Sequence, residues 1–124
     1  MAGQRERREM LLTILSVAWA DGDFHEREQR LFAELAETFQ IENHEIAALH
    51  RDHAEAPSPE RLAALLPDEE DRIFCYEEAV RMSYADGKLV DAEQQLLDQL
   101  RECLEIDAAL AREIESEIAE DARG

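Results

Sequence analysis

The sequence predicts an all-α protein of about seven helices in two related halves, and three observations carry that expectation. A stretch reading aromatic-Ala-Asp-Gly-x-apolar-x-x-x-Glu occurs twice, from Trp19 to Glu28 and from Tyr84 to Glu93. A single offset of 65 residues aligns the copies and continues to match Gln29 with Gln94, Leu31 with Leu96, Leu35 with Leu100 and Ile41 with Ile106. Recurrence at one offset marks a duplicated supersecondary unit. Apolar residues elsewhere recur at i, i+3, i+4 and i+7, the spacing of one helix face. No window alternates apolar and polar residues, and β-branched residues are few, so no strand is expected.

The first helix is read over 5–20, where Leu11, Ile14, Leu15 and Ala18 form the stripe. Gly22 stops it, because glycine tolerates the left-handed conformation that ends many helices. A second helix covers 26–40, striped by Leu31, Phe32, Leu35 and Phe39. Asn43 is the expected N-cap of a third helix over 44–55, with Ile46, Leu49 and His53 along one face. The stretch 56–59 (APSP) is a break. Ser58 as N-cap and Pro59 at the first helical position open a short helix over 59–66, which Pro67 ends.

Asp68 is expected to cap a long helix over 69–85, with Glu69, Glu70 and Asp71 complementing the positive end of its dipole. Ile73, Tyr76, Val80 and Tyr84 make its inner face, assisted by Phe74, and Gly87 closes it. A sixth helix over 91–104 carries Leu96, Leu97, Leu100 and Leu104. Asp107 caps a seventh over 108–121, striped by Leu110, Ile114 and Ile118, with fraying expected from Asp121. The whole chain, 1–124, is read as one domain with internal repeats at about 11–55 and 69–121.

Charge narrows the function classes. Asp and Glu number 31 against 13 Lys and Arg, a net charge of −18. A polyanion of this density is repelled by nucleic-acid phosphate and by anionic membrane surface. Cations and basic protein patches are the complementary partners. Cys75 and Cys103 form no C-x-x-C pair, and both are expected to be buried, reduced thiols. Arg5, Arg7 and Arg8 precede an apolar run over 10–20 in the manner of a secretory signal. Glu6 and Glu9 interrupt the basic part, Thr13 and Ser16 the apolar part, and the same segment recurs internally, so it is read as a helix of the repeat. No run approaches the roughly 20 apolar residues that a spanning helix needs.

The repeated motif has two readings. D-G-x-apolar-x-x-x-E is the second half of a calcium-binding EF-hand loop. The first half is missing: Val17 and Trp19 in one copy, and Met82 and Tyr84 in the other, stand where oxygen ligands are needed. As local structure, Glu28 and Glu93 fall at N3 behind His25 and Val90, where a carboxylate reaches back to the N-cap amide. Asp21 and Asp86 suit Asx-turns. Yet both lie at helix C-termini, where the dipole disfavours negative charge, and Asp23, Glu26 and Asp91 crowd the following turns. A cation would relieve both strains. Oxygen-only ligands favour Ca²⁺, Mg²⁺ or Mn²⁺ over zinc, which makes Asp21, Glu28, Asp86 and Glu93 the candidate metal residues. His44, His50 and His53 lack the companions of a zinc site. No nucleophile elbow, P-loop or dinucleotide turn is present, so no enzyme is expected.

The segments 15–22 (LSVAWADG) and 80–87 (VRMSYADG), set on helical hairpins in a small acidic chain, resemble the two signature segments of the TerB-like tellurite-resistance family. The resemblance spans Leu11 to about Ile118. It implies an all-α fold of two pseudo-symmetric halves and a cytoplasmic bacterial protein of stress or metal-resistance systems. It also implies an acidic cluster, here Asp21, Glu28, Asp86 and Glu93, proposed to bind divalent metal. Related modules stand beside DnaJ-type domains in membrane-anchored co-chaperones, which implies a protein partner with a membrane association but no direct membrane insertion. Lys88 departs from the acidic or neutral residue of the family and weakens a site in the second loop. The functional expectation is a non-enzymatic module that binds divalent cations weakly and docks a partner. A scaffold without a metal role and a metal-dependent hydrolase are the alternatives.

Overall fold

The computed structural model of the chain describes residues 4–18, 26–52, 58–84 and 91–123. Within them lie seven helices: α1 Gln4–Ala18, α2 Glu26–Thr38, α3 Asn43–Asp52, α4 Pro59–Leu65, α5 Glu69–Ser83, α6 Asp91–Cys103 and α7 Ala108–Arg123. The described residues contain no strand. The all-α expectation therefore holds, with small changes at the ends. Asn43 is the first residue of α3, not its cap; the helix opens with the Glu45 amide donating to the Glu42 carbonyl. Asp68 holds the N-cap position of α5 but makes no side-chain hydrogen bond to the helix amides, whereas the Ser58 hydroxyl accepts from the Arg61 amide at 3.2 Å. Helix α7 continues through Asp121 to Arg123.

The duplication reaches the backbone. Moving α1, α2 and the ladder that ends α2 along by 65 residues gives the bounds of α5, of α6 and of the ladder that ends α6. Gln40 and Glu105, both at left-handed φ of 60° and 57°, follow the last turns of α2 and α6. In each, that residue's amide donates three residues back, at 2.9 Å to Glu37 and 3.2 Å to Glu102. The next amide donates five residues back, Ile41 to Ala36 at 2.9 Å and Ile106 to Arg101 at 3.0 Å. This is a Schellman motif, which satisfies the carbonyls a helix end leaves open. Ile41 and Ile106 then plug the core beneath the two turns.

Packing obeys the same exchange. α1 packs on α2, α3 and α6, and α5 on α6, α7 and α2, which are the same contacts with the halves swapped. α1 and α5 make the most extensive contact with each other and form the centre of the molecule. Both are consequently buried on more than one face. In α1, Met10, Leu11, Leu12, Ile14 and Leu15 are all buried, and Thr13 between them satisfies its hydroxyl on the Glu9 carbonyl at 3.0 Å. In α5 the buried set is Cys75, Tyr76, Ala79, Val80, Met82 and Ser83, while Ile73, Phe74 and Tyr84 of the expected inner face are only half-buried. A single-stripe reading underestimates a central helix because neighbours cover its sides.

Helix α4 stands between the two repeated units. It lies on α6 and α1 through Leu62 and Leu66. Arg72 of α5 ties it down: Nε donates to the Leu66 carbonyl and Nη2 to the Ala63 carbonyl at 2.9 Å. The same guanidinium donates to the Leu104 carbonyl at the end of α6, at 3.4 Å. One cation thus serves the negative ends of two helices.

Candidate functional site

Glu28 and Glu93 are the most buried acidic residues described, 2% and 3% exposed. Each is the third residue of its helix, α2 and α6, so each points into the zone where the first helical amides lack intrahelical acceptors. Burying a carboxylate is costly unless it is compensated, and neither Glu28 nor Glu93 is a residue without a partner in the structure. Their burial at the same place in both halves separates them from the other described acidic residues, which are exposed or only partly buried. Asp21 and Asp86, the other two expected ligands, lie outside the described residues, as do Asp23, His25, Lys88 and Val90.

A second group brings possible metal donors together. Glu42, His44 and Glu45, at the turn into α3, place one ligand atom each within 4.8 Å of one another. His44 Nδ1 stands 3.3 Å from Glu42 Oε2, with both side chains largely in solvent. The second half has Asp107, Ala109 and Leu110 at these positions, so the cluster is not duplicated. His53 lies outside the described residues.

A third feature is a cleft of about 180 Å³ between α2 and α5. Leu31, Leu35 and Phe74 line its apolar part, and Glu34, Glu78 and Arg81 its polar part. Glu78 is only 14% exposed, with Arg81 Nε 3.8 Å from its Oε2. Burial raises the Glu78 carboxyl above its usual value of 4.5; Arg81 lowers it and Glu77 raises it further. Phe74 closes one end of the cleft against Phe39, ring centroids 5.6 Å apart, and the Arg7 guanidinium sits 5.9 Å from the Phe39 ring centre. That contact is within cation–π range.

Residues 2–118 match the family described as "Protein of unknown function (DUF533)". The chain belongs to the DUF533 family. No curated protein and no solved structure matches it. Among the described residues of this DUF533 protein, no helix is long and apolar enough to cross a membrane.

Several features of the DUF533 chain were not read from its sequence. Nothing local marks Arg72, because the carbonyls it binds are brought to it by two other segments, the ends of α4 and α6. The α2–α5 cleft needs tertiary contacts to exist, and Glu42 and Glu45 join His44 only across a turn. The expectation that both thiols are buried holds for Cys75 and fails for Cys103, which is half-exposed at the last turn of α6. Burial pushes the Cys75 thiol up to about 12, with Glu78 adding to the rise. The Cys103 thiol is also raised, by desolvation first and then by Glu60 of α4, to which it hydrogen-bonds.

Proposed function

We propose that this DUF533 protein is a TerB-like, non-enzymatic acidic module of a cytoplasmic stress- or tellurite-resistance type system. It binds divalent cations (Ca²⁺, Mg²⁺ or Mn²⁺) weakly through Asp21, Glu28, Asp86 and Glu93, and it docks a protein partner. The observation that carries the reading is the matched burial of Glu28 and Glu93 at N3 of α2 and α6. A carboxylate already stripped of water has less hydration to lose when a hard cation arrives. The TerB-like kinship rests on the duplicated Ala-Asp-Gly segments and on the paired helical hairpins that carry them.

Substitution separates a cation ligand from a structural cap. Glutamine at N3 still presents an acceptor oxygen to the N-cap amide but removes the charge a hard cation requires. In EDTA, Glu28→Gln with Glu93→Gln should cost well under about 1 kcal/mol per site. Calcium or magnesium at ten times its dissociation constant should stabilise the wild type by about 1.4 kcal/mol per occupied site, a rise of several degrees in melting temperature. The double variant should not respond. Equal stabilisation of both proteins, beyond that of NaCl at matched ionic strength, would place the cation elsewhere. No specific response in the wild type would leave a scaffold without a metal role.

A further inference from the structure

The polar wall of the α2–α5 cleft is richer in acceptors than in donors. Glu34 and Glu78 bring two carboxylates to it. The Thr38 hydroxyl donates its one proton to the Glu34 carbonyl at 3.0 Å, so towards a ligand it can only accept. Among the described lining residues Arg81 is the only cation. Its Nε stands 3.8 Å from Glu78 Oε2, beyond hydrogen-bond length, and its side chain is half-exposed. Glu34 makes no ion pair among the described residues. The fold itself does not call for these charges. At the 65-residue offset, Glu78 corresponds to Thr13 and Glu34 to Gln99, both neutral. Thr13 is buried and satisfied by the Glu9 carbonyl. Glu78 instead holds a carboxyl that burial raises and Arg81 lowers only in part. A charge that is costly to fold, where the repeat uses a neutral residue, is accounted for by a ligand rather than by packing.

We propose that the cleft seats one lysine side chain of a partner protein, its stem on Leu31, Leu35 and Phe74 and its ammonium taken by the carboxylates of Glu78 and Glu34. This rests on the reading of the chain as a docking module and names the residue that the partner inserts. The volume of about 180 Å³ decides the size of the occupant. It is below the roughly 300 Å³ at which small-molecule pockets begin, and close to the roughly 150 Å³ cavity that holds one benzene ring. One side chain fills it. Charge complementarity decides the type. A lysine stem covers apolar surface while its ammonium brings three donors to a wall of acceptors. A leucine would bury the Glu78 carboxylate further without giving it a partner. A glutamate would be repelled, on a chain already at −18. Phe39, half-buried and in ring contact with Phe74, extends the apolar rim for the partner residue next to the lysine.

The test uses the full chain, isotope-labelled, in EDTA and at constant ionic strength. The probes are three blocked tripeptides, acetyl-Leu-Lys-Leu-amide and its analogues with norleucine or glutamate at the centre. The lysine peptide should bind saturably and move the amide resonances of Leu31, Leu35, Phe74 and Glu78. It should bind about tenfold more tightly than the norleucine peptide, the worth of one charge-assisted contact. The glutamate peptide should bind more weakly still. Glu78→Gln keeps the shape of the wall and removes its charge. It should cut the lysine affinity about tenfold and leave the norleucine affinity unchanged. Glu34→Gln should cost about twofold, as suits an exposed carboxylate. Arg81→Gln should tighten lysine binding, because it removes the competing cation. Absence of saturable shifts, equal binding of the lysine and norleucine peptides, or shifts spread over the acidic surface would each overturn the seat. So would unchanged lysine binding in Glu78→Gln, or weaker binding in Arg81→Gln. Because divalent cations are excluded, failure of the proposed cation sites leaves this result untouched. A host partner that co-purifies equally with wild type and Glu78→Gln would keep the docking reading and remove this seat.

Discussion

Cys75 and Cys103 differ in one decisive respect, access. Cys75 is fully enclosed in α5, whereas Cys103 is half-exposed where α6 ends. A thiol reagent at mildly alkaline pH, without denaturant, should modify Cys103 first, and Cys75 only at the rate of unfolding; faster labelling of Cys75 would contradict its burial. The raised Cys75 thiol also has a pH consequence. Between its usual value of 9.0 and about 12 the unfolded chain loses this proton while the folded chain keeps it. Folding stability should then fall as pH rises, by up to about 1.4 kcal/mol per pH unit from this group. Tyr76 adds to the slope, because burial and the Glu115 carboxylate that it hydrogen-bonds push its hydroxyl up as well. Denaturant melts should show a shallower alkaline loss in Cys75→Ala than in the wild type. Glu78 gives the same sign at acid pH. Its raised carboxyl binds a proton more tightly when folded, so the cost of its charge disappears as pH falls below the usual 4.5. Glu78→Gln should therefore be more stable than the wild type at neutral pH, and the two should converge on acidification. A wild-type advantage at pH 7 would mean that the Arg81 pair outweighs burial.

At the scale of the helix, the duplicated ends make the sharpest predictions. Gln40 and Glu105 occupy left-handed positions that glycine adopts freely and other residues hold at a cost of about 1 kcal/mol. Gln40→Gly should raise the urea midpoint, with a gain of about 0.5–1 kcal/mol. Glu105→Gly should gain less, because it also removes the carboxylate 3.8 Å from Arg72. A loss in Gln40→Gly would show that its side chain stabilises the turn. Arg72→Ala should cost about 2–3 kcal/mol, since it strips a charged donor from three carbonyls at the ends of α4 and α6. An effect below about 0.5 kcal/mol, the size of ordinary surface changes, would contradict that role. The helices themselves were legible in the sequence because caps, prolines and the 3.6-residue period are local signals. The Schellman turns were not, because neither Gln40 nor Glu105 is the glycine that advertises such an end. The inner face of α5 was legible only in part, because Cys75, Ala79 and Ser83 are buried by neighbours that come from distant segments.

At the scale of the molecule, the offset that aligns the motifs also aligns the helix bounds, the end turns and the contacts, so the repeat was the most informative signal in the chain. It said nothing of the cleft, which tertiary packing of α2 against α5 creates. The candidate cation residues were legible as types and spacing; the depth of Glu28 and Glu93 was not, since burial depends on the helices around them. The surplus of carboxylates has its own consequence. At −18 the folded chain repels itself, and screening by monovalent salt should raise the melting temperature. A flat response between low and physiological salt would show that the carboxylates are compensated within the fold. The most direct test of the cation role is calorimetric titration of calcium at constant ionic strength into the wild type and the single variants Glu28→Gln and Glu93→Gln. The wild type should give saturable heat at millimolar cation, and Glu28→Gln should remove more of it than Glu93→Gln, because the first turn carries Asp23 where the second carries Lys88. No saturable heat in the wild type, or the same isotherm in all three proteins, would contradict a cation site at the duplicated turns.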